Sequence, residues 1–192
     1  VFQHHGQEAL LRDVEIPLAN VLADMENNGF EVDIQGITEF GDMLGKRIDD
    51  LQREITTAVG YEFNLNSPKQ LSKALFEDLG LPAKKKTKTG YSTNAEVLES
   101  LRNAHPAVAM LLDYRTLTKL KSTYCDGLLK VVGDDGRIHT SFNQTETRTG
   151  RISSTEPNLQ NIPVRQELGR ELRRFFRAQE GWTLCDADYS QI

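Results

Sequence analysis

A chain of 192 residues with 38% hydrophobic content and a formal net charge of −5 has room for one large domain or two small ones, and no apolar run in it is long enough to span a membrane. Its two cysteines, Cys125 and Cys185, lie far apart with no C-x-x-C pairing, which excludes a disulfide framework and a thiolate zinc site and fits a reducing cytoplasm. The charge is divided unevenly: residues 1–66 carry 13 acidic and 4 basic side chains, and residues 67–192 carry 15 and 19.

The chain opens on Val1-Phe2, with no initiator methionine, basic leader or signal-type apolar stretch, and is expected to be part of a longer polypeptide. Leu11, Val14, Leu18, Val21, Leu22 and Met25 recur at helical spacing, with Pro17 marking a kink or first turn and Asn27-Asn28-Gly29 a stop. Asp33 is placed to cap a second, long helix whose apolar stripe is Ile37, Phe40, Leu44, Ile48, Leu51, Ile55 and Val59 and whose end is Gly60. Ser67-Pro68 opens a third helix that Gly80-Leu81-Pro82 closes. A lysine loop follows, with Lys84, Lys85, Lys86 and Lys88, and then Thr93-Asn-Ala-Glu96 has capping-box spacing for a short helix through Leu101.

After the break at His105-Pro106 a helical stretch is predicted to Val132, with Val108, Leu111, Leu112, Leu120, Leu128 and Val131 as core candidates. Gly133-Asp-Asp-Gly136 is a turn signal, and Ile138, Thr140 and Phe142 then alternate as in a strand. A loop-rich, polar stretch is predicted over 144–163, then a short Arg-rich amphipathic turn over 168–176, and a strand from Trp182 to about Tyr189. The predicted fold class is α+β: a helix over 1–32 that returns to the C-terminal piece, a mostly helical arm over 33–132, and a partial antiparallel β piece over 133–192.

Three features carry chemistry. The stretch "QTETRTGRISSTEPNLQNIPVR" (144–165) joins Arg148, Arg151 and Arg165 to amides and hydroxyls with little to bury. Such groups donate to phosphates, sugars and minor-groove acceptors, or else hold a loop through their own backbone bonds. Arg115, Thr118, Lys119 and Ser122 share a helix face, which reads as a solvated surface or as a phosphate track extended by the lysine loop. Asp186 and Asp188 alternate near the C-terminus, either as solvated carboxylates or as a pair facing a cation. The four histidines have no metal-ligand spacing.

"TGRISSTEPNLQNIPVR" followed by "DADYSQI", and preceded by "FNLNSPKQL" and "LTKLKSTY", resembles the family A DNA polymerases of the bacterial polymerase I type. The resemblance covers nearly the whole chain. It implies a thumb over 33–132, a first part of the palm over 133–192, and a template-directed nucleotidyl transferase of DNA replication and repair. Asp188 then resembles the aspartate that binds both catalytic Mg²⁺ ions, and Tyr189 supplies a backbone ligand. Arg151 resembles the arginine that holds the primer terminus, and with Asp188 it is expected to carry catalysis.

By the same resemblance Asn158, Gln160, Asn161 and Arg165 contact the primer–template junction, and Asn64, Asn66, Ser67, Lys88, Ser92, Arg115 and Lys119 grip the duplex. The expected partners are primer–template DNA and deoxynucleoside triphosphates, for a monomer in the bacterial cytoplasm near the nucleoid and not on a membrane. Asp186 departs from the family's usual small neutral residue; it either raises the negative potential at the site or pairs with a nearby arginine, and the pairing is expected. The second metal-binding aspartate and the fingers helix lie beyond this sequence, so the piece is expected to be inactive alone. The rivals are a non-catalytic duplex-binding module and a two-metal nuclease, for which no further carboxylates are placed convincingly.

Overall fold

The computed structural model describes residues 6–83, 86–87, 90–163 and 167–189, with the backbone alone at 86 and 87. Elements in chain order are α1 (Glu8–Leu10), a wider π-type stretch (Leu11–Glu15), α2 (Ile16–Asn28), β1 (Phe30–Val32) and α3 (Ile34–Val59). Then come α4 (Pro68–Ser72) with a second π-type stretch (Lys73–Asp78), β2 (Lys86–Thr87), β3 (Gly90–Tyr91), α5 (Ala95–Ser100), α6 (Pro106–Lys119), a third π-type stretch (Leu120–Asp126) and α7 (Gly127–Leu129). The last elements are β4 (Arg137–Ile138), β5 (Ser141–Asn143), β6 (Ser153–Thr155), α8 (Glu167–Arg173) and β7 (Phe176–Arg177), and the class is α+β. Two compact units are formed, Val1–Glu39 with Thr123–Ile192, and Phe40–Ser122. Among the described residues no helix is long and apolar enough to cross a membrane.

In the first unit β4, β1 and β7 form an antiparallel sheet with β1 in the middle, pairing Phe30 with Ile138, Glu31 with both Arg137 and Arg177, and Val32 with Phe176. Glu31 thus stands between two arginines on neighbouring strands, a favourable cross-strand arrangement. The Asp33 carboxylate accepts from Gly36 N at 3.1 Å, capping α3 as its side-chain chemistry predicts, and it also accepts from Arg177. Gly29 ends α2 at φ 57°, ψ −169°, a backbone region open essentially to glycine alone. A Cβ there would lie 2.7 Å from the His139 ring and 2.8 Å from the Ile138 carbonyl oxygen.

The α2 stripe is not a core stripe. Leu22 is buried, but Val14, Val21 and Met25 are each about half exposed, at 50%, 53% and 48%. An apolar groove of about 620 Å³, lined by Leu18, Leu22, Met25, Phe30, Phe142 and Leu159 among others, runs beside the helix. The alternating segment 138–142 divides between two sheets: β4 joins β1, and β5 pairs with β6. β6 lies inside the stretch predicted to be loop-rich, where pairing with β5 outweighs its Ser-Ser-Thr composition.

The strand predicted over 182–189 is absent. Residues 183–189 have no regular structure and are exposed, with Tyr189 at 96%. A strand needs a hydrogen-bonded neighbour, and among the described residues the segment has none. The pairing expected there falls instead to the shorter β7.

In the second unit α3 buries Phe40, Leu44, Leu51 and Ile55 on one face, as the stripe predicts, while Ile48 and Val59 stay at its margin. Leu65, Leu71, Leu75, Val97, Leu98, Val108 and Leu111 complete this core. Gly80, at φ 63°, closes the second π-type stretch while Leu81 N donates back to Leu75 O at 3.0 Å. The cap of α5 is Asn94, whose side chain accepts from Val97 N at 2.9 Å, and not Thr93, which is buried under Arg115. The helical path that begins at Pro106 ends at Leu129 rather than Val132, and Val131 is 39% exposed.

Candidate nucleic-acid interface

The polar groups singled out in the sequence fall into two sets, one in each compact unit. In the second unit, Asn64, Asn66 and Ser67 form the turn that starts α4. Asn66 N donates to Asn64 Oδ1 at 2.9 Å, Ser67 N to Asn64 O at 3.0 Å, and Ser67 Oγ accepts from Gln70 N at 3.4 Å. The Asn66 amide reaches Tyr114 Oη at 3.2 Å. A hydroxyl or amide that accepts from a backbone N–H still has its own protons to give, so Ser67 and Asn64 retain donors toward solvent. Ser92 does the same, its Oγ accepting from Asn94 N at 3.4 Å.

Arg115 is turned inward. Its guanidinium donates to the Thr93 carbonyl and, at 3.3 Å, to the Thr93 hydroxyl. The side chain is half-buried, and that burial lowers the guanidinium from its ordinary value. Lys119, a helical turn further along α6, is exposed, and no ion pair to it is found among the described residues. Lys88, like Lys84 and Lys85, lies outside the described residues.

In the first unit the segment Gln144–Asn161 is knitted by its own side chains. Gln160 uses both ends of its amide: Nε2 donates to Ile152 O at 2.9 Å and Oε1 accepts from Ser154 N at 3.1 Å. Asn158 Oδ1 accepts from Gln160 N at 2.9 Å, and the Asn161 carbonyl accepts from the Tyr124 hydroxyl. Ser154, buried, accepts from Leu159 N at 3.1 Å. Of the residues expected at the primer–template junction, the structure therefore brings Arg151, Asn158 and Gln160 into one bonded segment. Arg165 lies outside the described residues.

Arg151 differs from its neighbours. It is exposed, and among the described residues its guanidinium has no hydrogen-bond or ion-pair partner, so its five donors are available to an acceptor from outside. Sequence reading missed Thr147, whose hydroxyl donates to the Arg151 carbonyl at 2.6 Å. A threonine four residues before an arginine, with Gly150 between, was the available signal. It also missed Gln144, whose Nε2 reaches Glu15 O at 3.1 Å and Glu15 Oε2 at 2.8 Å, tying the segment to the π-type stretch before α2.

Asp186, Asp188 and Tyr189 lie in the exposed segment after Trp182. The expected pairing of Asp186 with an arginine is not found among the described residues, where Asp186 is exposed. Magnesium takes oxygen donors, commonly one or two carboxylates completed by waters and substrate phosphates. The carboxylates of Asp186 and Asp188 and the Tyr189 carbonyl fit that ion in kind. Among the described residues no group of three or more His, Cys, Asp or Glu side chains gathers into a larger donor set.

Comparison with known proteins bears on this arrangement. The sequence model of the family described as DNA polymerase family A matches residues 34–192. DNA polymerase I of Bacillus subtilis is 48% identical over 192 residues, covering 99% of this chain and 22% of the relative. The thermostable DNA polymerase I of Thermus aquaticus is 53% identical, covering 97% of this chain and 23% of the relative. The chain thus spans less than a quarter of the length of these relatives. A solved structure, the POL domain of Pol1 from M. smegmatis in complex with DNA primer-template and dNTP, is similar with a TM-score of 0.88 and 45% identity, over 95% of this chain and 32% of that one.

Proposed function

Because this chain belongs to DNA polymerase family A, we propose that it supplies the duplex-gripping part and one metal-binding carboxylate of a template-directed DNA polymerase acting in replication and repair. The observation that carries the proposal is the likeness, over 95% of the chain, to a POL domain whose structure holds primer-template and dNTP. Residues 33–132 are assigned to the thumb, and 133–192 with 1–32 to the palm. The compact unit Phe40–Ser122 lies inside the first span and supports that division.

In the reaction so proposed, a primer 3′-hydroxyl attacks the α-phosphate of a nucleotide and displaces pyrophosphate. Two magnesium ions, when bound, activate the nucleophile and stabilise the leaving group, and Asp188 with the Tyr189 carbonyl would hold them. Arg151 donates into the minor groove, where acceptors recur at every base pair, so it holds the primer end without reading sequence. Asn158 and Gln160 serve the same segment, Gln160 through the bonds that shape it. Asn161 and Arg165 are proposed to serve the same junction. Asn64, Asn66, Ser67, Lys88, Ser92 and Lys119 are proposed to track backbone phosphates, where proton donors and cations are what is needed, while Arg115, turned onto Thr93, is proposed to support that surface through its bonds there.

The test is a titration of the 192-residue chain with labelled duplex and single-stranded DNA at rising salt. Weak binding is expected, stronger for duplex, with the logarithm of affinity falling linearly as counterions are released. Affinity that does not change with salt would refute the phosphate track. With primer–template, Mg²⁺ and deoxynucleotides the isolated chain, which spans less than a quarter of the length of its polymerase I relatives, is expected to extend nothing. Duplex binding without any extension by a complete family A enzyme that carries this segment would favour the rival reading, a non-catalytic duplex-binding module.

A further inference from the structure

The last paired residues of the β5–β6 hairpin are Asn143 and Ser153, and the chain between them must turn while presenting Arg148 and Arg151 outward. Long flexible side chains on a loose loop bind poorly, because both loop and side chain lose freedom on contact. Here the backbone beneath Arg151 is already held. Its own carbonyl accepts from the Thr147 hydroxyl at 2.6 Å, and the next carbonyl, that of Ile152, accepts from Gln160 Nε2 at 2.9 Å. Gly150, at φ 77°, makes the bend between Thr147 and Arg151.

We propose that Thr147 is a positioning residue for Arg151, its hydroxyl closing the loop so that the arginine is presented in one orientation before DNA arrives. This rests on the reading of Arg151 as a duplex contact and deepens it. A carbonyl can be held only by a donor, so the role belongs to the hydroxyl of Thr147 and not to its shape: valine fills the same space and leaves the Arg151 carbonyl to solvent. Gln160 acts on the following peptide, and the pair holds two successive carbonyls without touching the guanidinium.

The test uses the 192-residue chain and a fluorescent primer–template duplex at low salt, read by anisotropy. Thr147→Val is expected to weaken binding about three- to tenfold, the net worth of one hydrogen bond. Thr147→Ser, which keeps the hydroxyl, is expected to stay within about twofold of wild type. In an Arg151→Ala background Thr147→Val should add nothing, since coupled residues depart from additivity. A full Thr147→Val effect persisting in that background overturns the positioning role, and so does normal binding by Thr147→Val when Arg151→Ala binds poorly. Wild-type affinity in Arg151→Ala overturns the reading of Arg151 itself, and the role falls with it. Hydrogen exchange of the amides over 148–152 in the DNA-free chain tests the clamp separately: faster exchange in Thr147→Val supports it, and unchanged exchange overturns it.

Discussion

The Nδ1 of His139 lies 2.7 Å from the carbonyl oxygen of Glu26, in the last turn of α2, while its Nε2 lies 3.0 Å from Asp135 Oδ2. A neutral ring can donate at only one nitrogen. The imidazolium donates at both, and a cation at a helix C-terminus also complements the dipole. The His139 ring is accordingly raised above its ordinary value, first by the Glu26 carbonyl and then by Asp135. A raised folded value means a stabilisation fully present below the unfolded value of about 6.5 and lost as pH rises through the folded value. The stability gap between wild type and His139→Ala in urea denaturation should therefore be wider at about pH 6 than at about pH 8.5. A gap that widens with pH would contradict the assignment.

Gly29 is bound to the same corner. Gly29→Ala places a methyl 2.7 Å from the His139 ring and 2.8 Å from the Ile138 carbonyl oxygen, in a backbone region that alanine avoids. A loss of about 2–4 kcal/mol is expected from overpacking and strain together. Thermal or chemical denaturation reads it, and a change within about 0.5 kcal/mol would show that the corner can relax.

Arg115 and Lys119 share a helix face but should part company on mutation. Arg115→Met removes two bonds to Thr93 and leaves a buried hydroxyl and carbonyl short of a partner, so about 1–3 kcal/mol of stability should go. Lys119→Met, exposed, should leave stability within about 0.5 kcal/mol while reducing the salt slope of duplex binding by about one. Equal effects of the two changes on both measurements would undo the distinction.

In a complete family A enzyme that carries this segment, Asp188→Asn is expected to lower single-turnover incorporation by a factor on the order of a thousand, near ~4 kcal/mol of transition-state stabilisation. Asp186→Ser should remain within about tenfold of wild type. Equal, severe losses would make Asp186 a second ligand, and near-normal rates for Asp188→Asn would remove the catalytic assignment.

Much of the helical part was legible because its signals are local. Ile37, Leu44, Leu51 and Ile55 repeat at the helical period, Asp33 and Ser67 cap where small acceptors should, and Gly60 and Gly80 end helices at positive φ. What depends on distant partners was not. Asn94 displaced Thr93 as a cap because Arg115 engages Thr93, and no spacing rule reports that. β6 became a strand through pairing, while the more apolar 182–189 did not, for want of a neighbour. In the candidate site the motif offers candidate residues, but does not show that Gln160 turns its amide inward while Arg151 keeps its guanidinium free among the described residues. That division of labour is set by hairpin geometry, and a string of letters carries no bond directions.

The two cysteines differ in a way that has a practical side. Cys125 is enclosed in the first unit, whereas Cys185 is exposed in the segment that holds Asp186 and Asp188. A thiol reagent needs access to a thiolate, so a maleimide dye should couple at Cys185 and spare Cys125. The protein thus comes with a native labelling handle next to its candidate cation ligands. Spectral changes of that dye on adding Mg²⁺ would follow ion capture directly, with no engineered residue and no need for turnover.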